Sequence, residues 1–186
     1  MRGKLIFVTG GIRSGKSEFA ERLTAGMGGR ITYIATAQAL DDEMRHRIRL
    51  HRERRPDTWK TVEEPYRVAQ AIREHGRDSQ VVMIDCLTIL VSNLMFRIEE
   101  IKGQEFKKEF QGEIVEEITS LARAALEAQA HVVIVSNEVG MTLVSDNFLG
   151  RQYQELVGIA NQTVARLADE AYLVAAGYPV ILKNQA

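Results

Sequence analysis

An α/β fold, with a mainly parallel sheet covered by helices on both faces, is predicted by three observations. Short apolar strand-like runs alternate with helical patterns along the chain. The first run leads directly into a complete G-x-x-x-x-G-K-S phosphate loop, Gly10 to Ser17. The last two runs are joined by Gly177-Tyr178-Pro179, a connection short enough for a hairpin, which predicts an antiparallel edge.

The elements follow in order. Residues 5–8 are apolar and partly β-branched, as a buried strand requires. A helix over 16–25 follows the loop, and a strand is predicted over 31–35. The helix over 41–54 opens on Asp41-Asp42-Glu43 and closes on basic residues, matching the helix dipole, and Pro56 stops it. Helices are predicted over 65–74 and 88–97, flanking a strand over 81–84. A long helix over 104–129 carries a mixed charged face. A strand over 132–135, a helix over 149–169 and strands over 171–174 and 180–182 complete the pattern. No Ser/Pro-rich linker, repeat or low-complexity tract interrupts it, so one catalytic domain over 1–186 is the simple reading.

Composition narrows the function. The 186 residues are 45% hydrophobic and 26% charged, enough for a sizeable core, and the net charge of −1 gives no global field for nucleic acid. One cysteine, Cys86, excludes an internal disulfide and a cysteine-only metal cluster. No apolar run reaches the length of a membrane span, and the phosphate-loop strand begins too early for a removable leader. A cytoplasmic protein is expected.

In a parallel sheet, ligands gather beyond the carboxyl ends of the strands. Gly10 and Gly15 let backbone amides close around phosphate oxygens, with Gly11, Ile12, Arg13 and Ser14 forming the rest of the cradle. Lys16 is expected on the β/γ-phosphates and the Ser17 hydroxyl on Mg²⁺. Asp85 ends an apolar strand, the form of a second Mg²⁺-binding element, or alternatively caps the next helix. Thr36 either bonds a phosphate or substrate oxygen or simply ends its strand. Asn137 and Glu138 face the same edge, as ligand contacts or as turn formers. His75 and His131 lie at element ends and receive no role.

Helical phase separates the other two histidines. Met44, Ile48 and His51 share one face, while His46 lies about 140° from His51 at roughly 100° per residue. His51 therefore points where the apolar residues point, with Arg47 and Arg55 alongside. A neutral imidazole there can attack phosphorus while arginines bind its oxygens. On these grounds alone His51 still reads first as an ordinary buried or helix-ending histidine, with the nucleophile as the alternative.

Together these segments resemble the bifunctional adenosylcobinamide kinase/adenosylcobinamide-phosphate guanylyltransferase family of cobalamin biosynthesis. The resemblance runs through TGGIRSGKS from Thr9, YIATAQALDDEM from Tyr33, RIRLHRERRPDTWKTVEE from Arg47, DCLTILVSNL from Asp85, NEVGM from Asn137, and the terminal region. It implies phosphorylation of adenosylcobinamide by ATP or GTP. GMP is then transferred from GTP to adenosylcobinamide-phosphate, giving adenosylcobinamide-GDP and pyrophosphate. It implies a covalent histidine–GMP intermediate, with His51 at the nucleophile's position. It also implies nucleotide contacts from the phosphate loop, Ala35, Thr36, Ala37, Arg52, Glu53, Arg54, Arg55, Glu63 and Asp85. A RecA-like fold and a homotrimer follow from the same resemblance. The chain departs from the family's common NEVGxGIVP pattern, with Thr142 in place of glycine and Ser145 in place of proline. The competing readings are a plain phosphate-loop kinase of small molecules, with His51 structural, and a RecA-like nucleotide-binding ATPase.

Overall fold

The computed structural model describes residues 2–39, 41–53 and 55–184, the side chains of Glu43, Arg47 and His51 excepted. The strands are β1 (Leu5–Gly10), β2 (Ile31–Ala35), β3 (Lys60–Glu63), β4 (Val81–Asp85), β5 (His131–Val135), β6 (Glu170–Ala175) and β7 (Tyr178–Asn184). They form one sheet in the order β3-β2-β4-β5-β1-β6-β7. Every pairing is parallel except β6 with β7. The helices are α1 (Lys16–Met27), α2 (Asp42–Glu53), α3 (Val68–His75), α4 (Leu87–Lys102), α5 (Gln111–Glu127) and α6 (Phe148–Leu167).

Alternation along the strands builds two cores. Leu5 and Phe7 point to one face with Ile34, Val82, Ile84, Val132 and Ile134, under the apolar sides of α3 to α6. Ile6 and Val8 point to the other with Tyr33, Met83, Val133 and Val135, where Ala20 of α1 and Trp59 close over them. All six residues of β1 are buried, as expected for a strand flanked on both edges and covered on both faces. No described helix is long and apolar enough to cross a membrane.

Three differences from the sequence reading have an identifiable cause. Strand β3 was not predicted: three of the four residues in Lys60-Thr61-Val62-Glu63 are polar, and only its parallel pairing with β2 makes it a strand. The predicted helix over 104–129 begins later. Gly103 ends α4 at φ 61°, the Phe106 amide donates to Glu99 Oε1 at 2.7 Å, and a 3₁₀ turn at Lys108–Phe110 precedes α5. Helix α3 starts at Val68 rather than at 65. The Glu64 carboxylate accepts the Tyr66 and Arg67 amides at 2.9 and 2.8 Å and holds that segment in a turn.

Candidate active site

The carboxyl ends of five parallel strands meet on one edge. Register aligns Ala35 of β2 with both Glu63 and Asp85, Asp85 with Val135, and Val135 with Val8 of the phosphate-loop strand. Strand β5 thus lies between β1 and β4, and Ser136-Asn137 emerges between the phosphate loop and Asp85.

The loop's geometry explains its glycines. A Cβ on Gly10 would collide with the Val174 carbonyl oxygen and stand 2.6 Å from Ser14 Oγ. Gly15 sits at φ 90° as the N-cap of α1, and no side chain caps that end, so the first helical amides face outward as an anion site. Arg13 also takes a positive φ, 57°, where the loop reverses. Lys16 is buried, and its Nζ donates to the Gly11 carbonyl at 3.1 Å, which folds the ammonium back over the cradle. Ser14 Oγ is buried with no hydrogen-bond partner among the described residues. Ile12 is almost fully exposed and Gly11 has open space around it. The cradle is braced from far along the chain: the Gly177 amide donates to the Ser14 carbonyl at 2.8 Å.

A cleft opens beside the loop. Lys16, Ser17, Tyr33, Ala35, Ala37, Met44, Ile48, Arg55, Asp85, Cys86, Ile89 and Asn137 line it. The structure therefore brings together the phosphate-loop lysine and serine, the β4 carboxylate, and the face of α2 that carries Met44 and Ile48. His51 lies on α2, one turn beyond Ile48 in sequence, and its side chain is outside the described residues, as is all of Arg54. His46 is exposed, with Nδ1 2.9 Å from Arg49 Nη2, away from the cleft-lining residues of its helix. Arg52 and Glu53 are exposed at the end of α2, and Glu63 is exposed at the end of β3.

Thr36 follows β2 with its polar groups bonded to backbone beyond β4. Its hydroxyl donates to the Cys86 carbonyl at 2.9 Å and accepts the Cys86 amide at 2.8 Å, while its own amide donates to the Asp85 carbonyl at 3.1 Å. Asn93 Nδ2 donates to the Thr36 carbonyl at 2.8 Å. Both protons of Thr36 are spent on joining β2 to β4, which is the strand-ending role. Glu138 likewise turns inward on its loop, accepting the Gly140 amide at 2.7 Å while its own amide donates to the Gly10 carbonyl at 3.0 Å. Asn137 donates to Thr88 Oγ1 at 3.0 Å, and Asn161 Nδ2 donates to the Asn137 carbonyl at 3.0 Å.

Sequence reasoning missed Tyr33. It is buried under the Arg55 guanidinium, 3.7 Å from the ring centroid, and its hydroxyl donates to Asp85 Oδ2 at 2.8 Å. Burial, reinforced by the Asp85 charge, pushes its phenol well above the ordinary value, so it stays protonated as a donor. In a strand whose first four residues are all buried, a tyrosine reads simply as core. Burial also pushes the Cys86 thiol up to about 11, which leaves it unreactive.

Ser17 and Asp85 supply a hydroxyl and a carboxylate oxygen to one cleft, donors suited to Mg²⁺. Among the described residues no group of three or more His, Cys, Asp or Glu is arranged to hold a metal alone.

A family model matches residues 6–182, spanning this whole architecture: cobinamide kinase / cobinamide phosphate guanyltransferase. The chain belongs to this family. Its bifunctional adenosylcobalamin biosynthesis protein CobU from Escherichia coli is 40% identical over 184 residues, covering 96% of this chain and 99% of that one. The CobU protein of Salmonella typhimurium is 39% identical over 181 residues, with the same coverage of both chains, 96% and 99%. Among solved structures, an ATPase of the type III secretion system of pathogenic bacteria superposes with a TM-score of 0.54 at 15% identity, covering 92% of this chain and 52% of that one. That likeness establishes the RecA-like phosphate-loop fold. The two departures from the family's common pattern share one support. Gln154 of α6 donates to Thr142 Oγ1 at 3.2 Å and accepts the Ser145 amide at 3.0 Å.

Proposed function

We propose that this chain phosphorylates adenosylcobinamide and then guanylylates the product, with both reactions run from the one cleft. The observation that carries this reading is the convergence of Lys16, Ser17 and Asp85 with the Met44–Ile48 face of α2, the helix that bears His51. The loop amides and Lys16 bind the β- and γ-phosphates and offset charge during transfer. Ser17 and Asp85 hold Mg²⁺, which when bound neutralises phosphate charge. In the first reaction the aminopropanol hydroxyl of the corrinoid takes the γ-phosphoryl group of ATP or GTP.

In the second, neutral His51 attacks the α-phosphorus of GTP. A phosphorus–nitrogen bond forms and the bond to pyrophosphate breaks. The phosphate of adenosylcobinamide-phosphate then attacks the same phosphorus and releases neutral imidazole, giving adenosylcobinamide-GDP. Arg55 bounds the same cleft, and Ala35, Ala37, Arg52, Glu53, Arg54 and Glu63 complete the nucleotide contacts. Thr36 supports that edge from behind. We place all of this in a single domain of a cytoplasmic homotrimer. The single continuous sheet supports the first point, and the exposed Val180, Ile181 and Leu182 on edge strand β7 support self-association.

The test is incubation with GTP labelled in the α-phosphate, followed by denaturation. Wild type and His46→Ala should retain acid-labile, alkali-stable label. His51→Ala should carry none and lose guanylyl transfer while keeping measurable kinase activity. Label persisting on His51→Ala would sink the nucleophile assignment, and no label on wild type would leave a plain kinase.

A further inference from the structure

Two groups of the cleft that bear opposite charges, Asp85 and Arg55, meet on one neutral side chain. Tyr33 lies in β2, next to β4 in the sheet, and is paired in register with Met83, two residues before Asp85. Only 3% of it is exposed, so its ring has a single orientation. From that orientation the hydroxyl donates to Asp85 Oδ2 at 2.8 Å, and the ring face carries the Arg55 guanidinium at 3.7 Å. Arg55 Nη1 also donates to Thr61 Oγ1 at 3.3 Å, which ties the same guanidinium to β3.

We propose that Tyr33 is a positioning residue for the transfer chemistry: its hydroxyl sets the rotation of the Asp85 carboxylate toward the cation site, and its ring holds Arg55 over the cleft. This rests on the reading of Asp85 as a metal-binding group. The physical logic is that of a partner behind a metal ligand. A carboxylate held by a fixed donor presents its oxygens in one orientation, and removal of such a partner commonly weakens metal binding roughly 10- to 100-fold. Arg55 gains a different kind of order. A guanidinium stacked on a buried aromatic face keeps its donors in a fixed plane, ready for phosphate oxygens. One side chain thereby couples the metal half of the cleft to the segment that follows α2.

Two substitutions separate the two contributions. Tyr33→Phe keeps the ring and removes the hydrogen bond, whereas Tyr33→Leu removes both. The readout is the affinity of a GTP analogue with a methylene bridge between its α- and β-phosphorus, which cannot lose its guanylyl group. Calorimetry would measure it once with Mg²⁺ and once with a chelator. In wild type the ratio of the two affinities reports how strongly the cation is held. Tyr33→Phe should lower that ratio by roughly tenfold while leaving the chelator value within about twofold. Tyr33→Leu should weaken binding under both conditions, because Arg55 loses its platform. Asp85→Asn should collapse the ratio by at least as much as Tyr33→Phe. A wild-type ratio for Tyr33→Phe beside a collapsed one for Asp85→Asn overturns the proposal and leaves the metal reading intact. An equal loss with and without Mg²⁺ for Tyr33→Phe also overturns it, since a merely structural role would do that. A wild-type ratio for Asp85→Asn removes the metal reading and this proposal with it.

Discussion

The two walls of the cleft are built on different foundations. The phosphate-loop wall grows from β1, whose six residues are all buried, and continues into α1, where Lys16, Ala20 and Thr24 are buried. The facing wall is α2, where no described side chain is buried and Met44 and Ile48 are only half-buried. Its remaining described residues are charged or exposed, with ion pairs on its own surface such as Arg45–Asp42 at 2.8 Å. Exposed pairs of this kind contribute about 0–1 kcal/mol. Phosphate binding, common to both reactions, thus sits on the rigid core, and the helix that bears His51 sits on a thin apolar stripe.

Lys16→Ala should produce the largest effect. Removing a buried ammonium from the phosphate cradle should reduce both activities by roughly two orders of magnitude or more. Near-normal turnover of either reaction would show that the rigid wall does not carry the shared step.

Core substitutions test the contrast in stability. Ile6 is fully buried, so Ile6→Ala should cost about 2–5 kcal/mol in denaturant unfolding. Ile48→Ala on α2 should cost less than about 1 kcal/mol. Equal losses would erase the distinction between the walls. Amide hydrogen exchange offers a finer measure. Protection in β1 should approach that of global unfolding, and α2 amides should exchange by local opening well before them.

The smallest effect lies beneath the rigid wall. Asp169 accepts both Arg2 guanidinium nitrogens, at 2.8 and 2.6 Å, and the Leu5 amide at 2.8 Å, at the start of β1. These bonds, the Arg2 pair foremost, hold its carboxyl down to about 2, against an ordinary value of 3.8. The folded state therefore binds fewer protons than the unfolded one in this range. The stabilisation is fully present above about pH 4 and is lost as pH falls through about 2. Asp169→Asn should lower stability by a constant amount above about pH 4 and flatten the acid-unfolding curve between about pH 4 and 2.

Much of this was legible in the chain because the signals were local. The phosphate loop, the apolar strands and the terminal Asp85 are contiguous patterns, and each was found where the sequence put it. The helical phase of Met44 and Ile48 also transferred directly, since both line the cleft. What escaped depended on distant partners. Strand β3 exists through pairing with β2. The role of Tyr33 needs Asp85 and Arg55, neither adjacent in sequence. Such roles are properties of the assembled sheet, and alternation or composition carries no trace of them.

The Gly177–Ser14 bond has a consequence for synthesis order. Residues 10–17 leave the ribosome before the strands that flank them: β1 lies between β5 and β6, and the carbonyl of Ser14 is held by the turn between β6 and β7. Both neighbours and the brace are translated after β1 to β4. A nascent chain can display the full phosphate-binding motif for most of its elongation without a seated cradle. The capacity to bind nucleotide should therefore arrive in one step, when β6 and β7 emerge, and a chain stalled before residue 170 should not retain GTP.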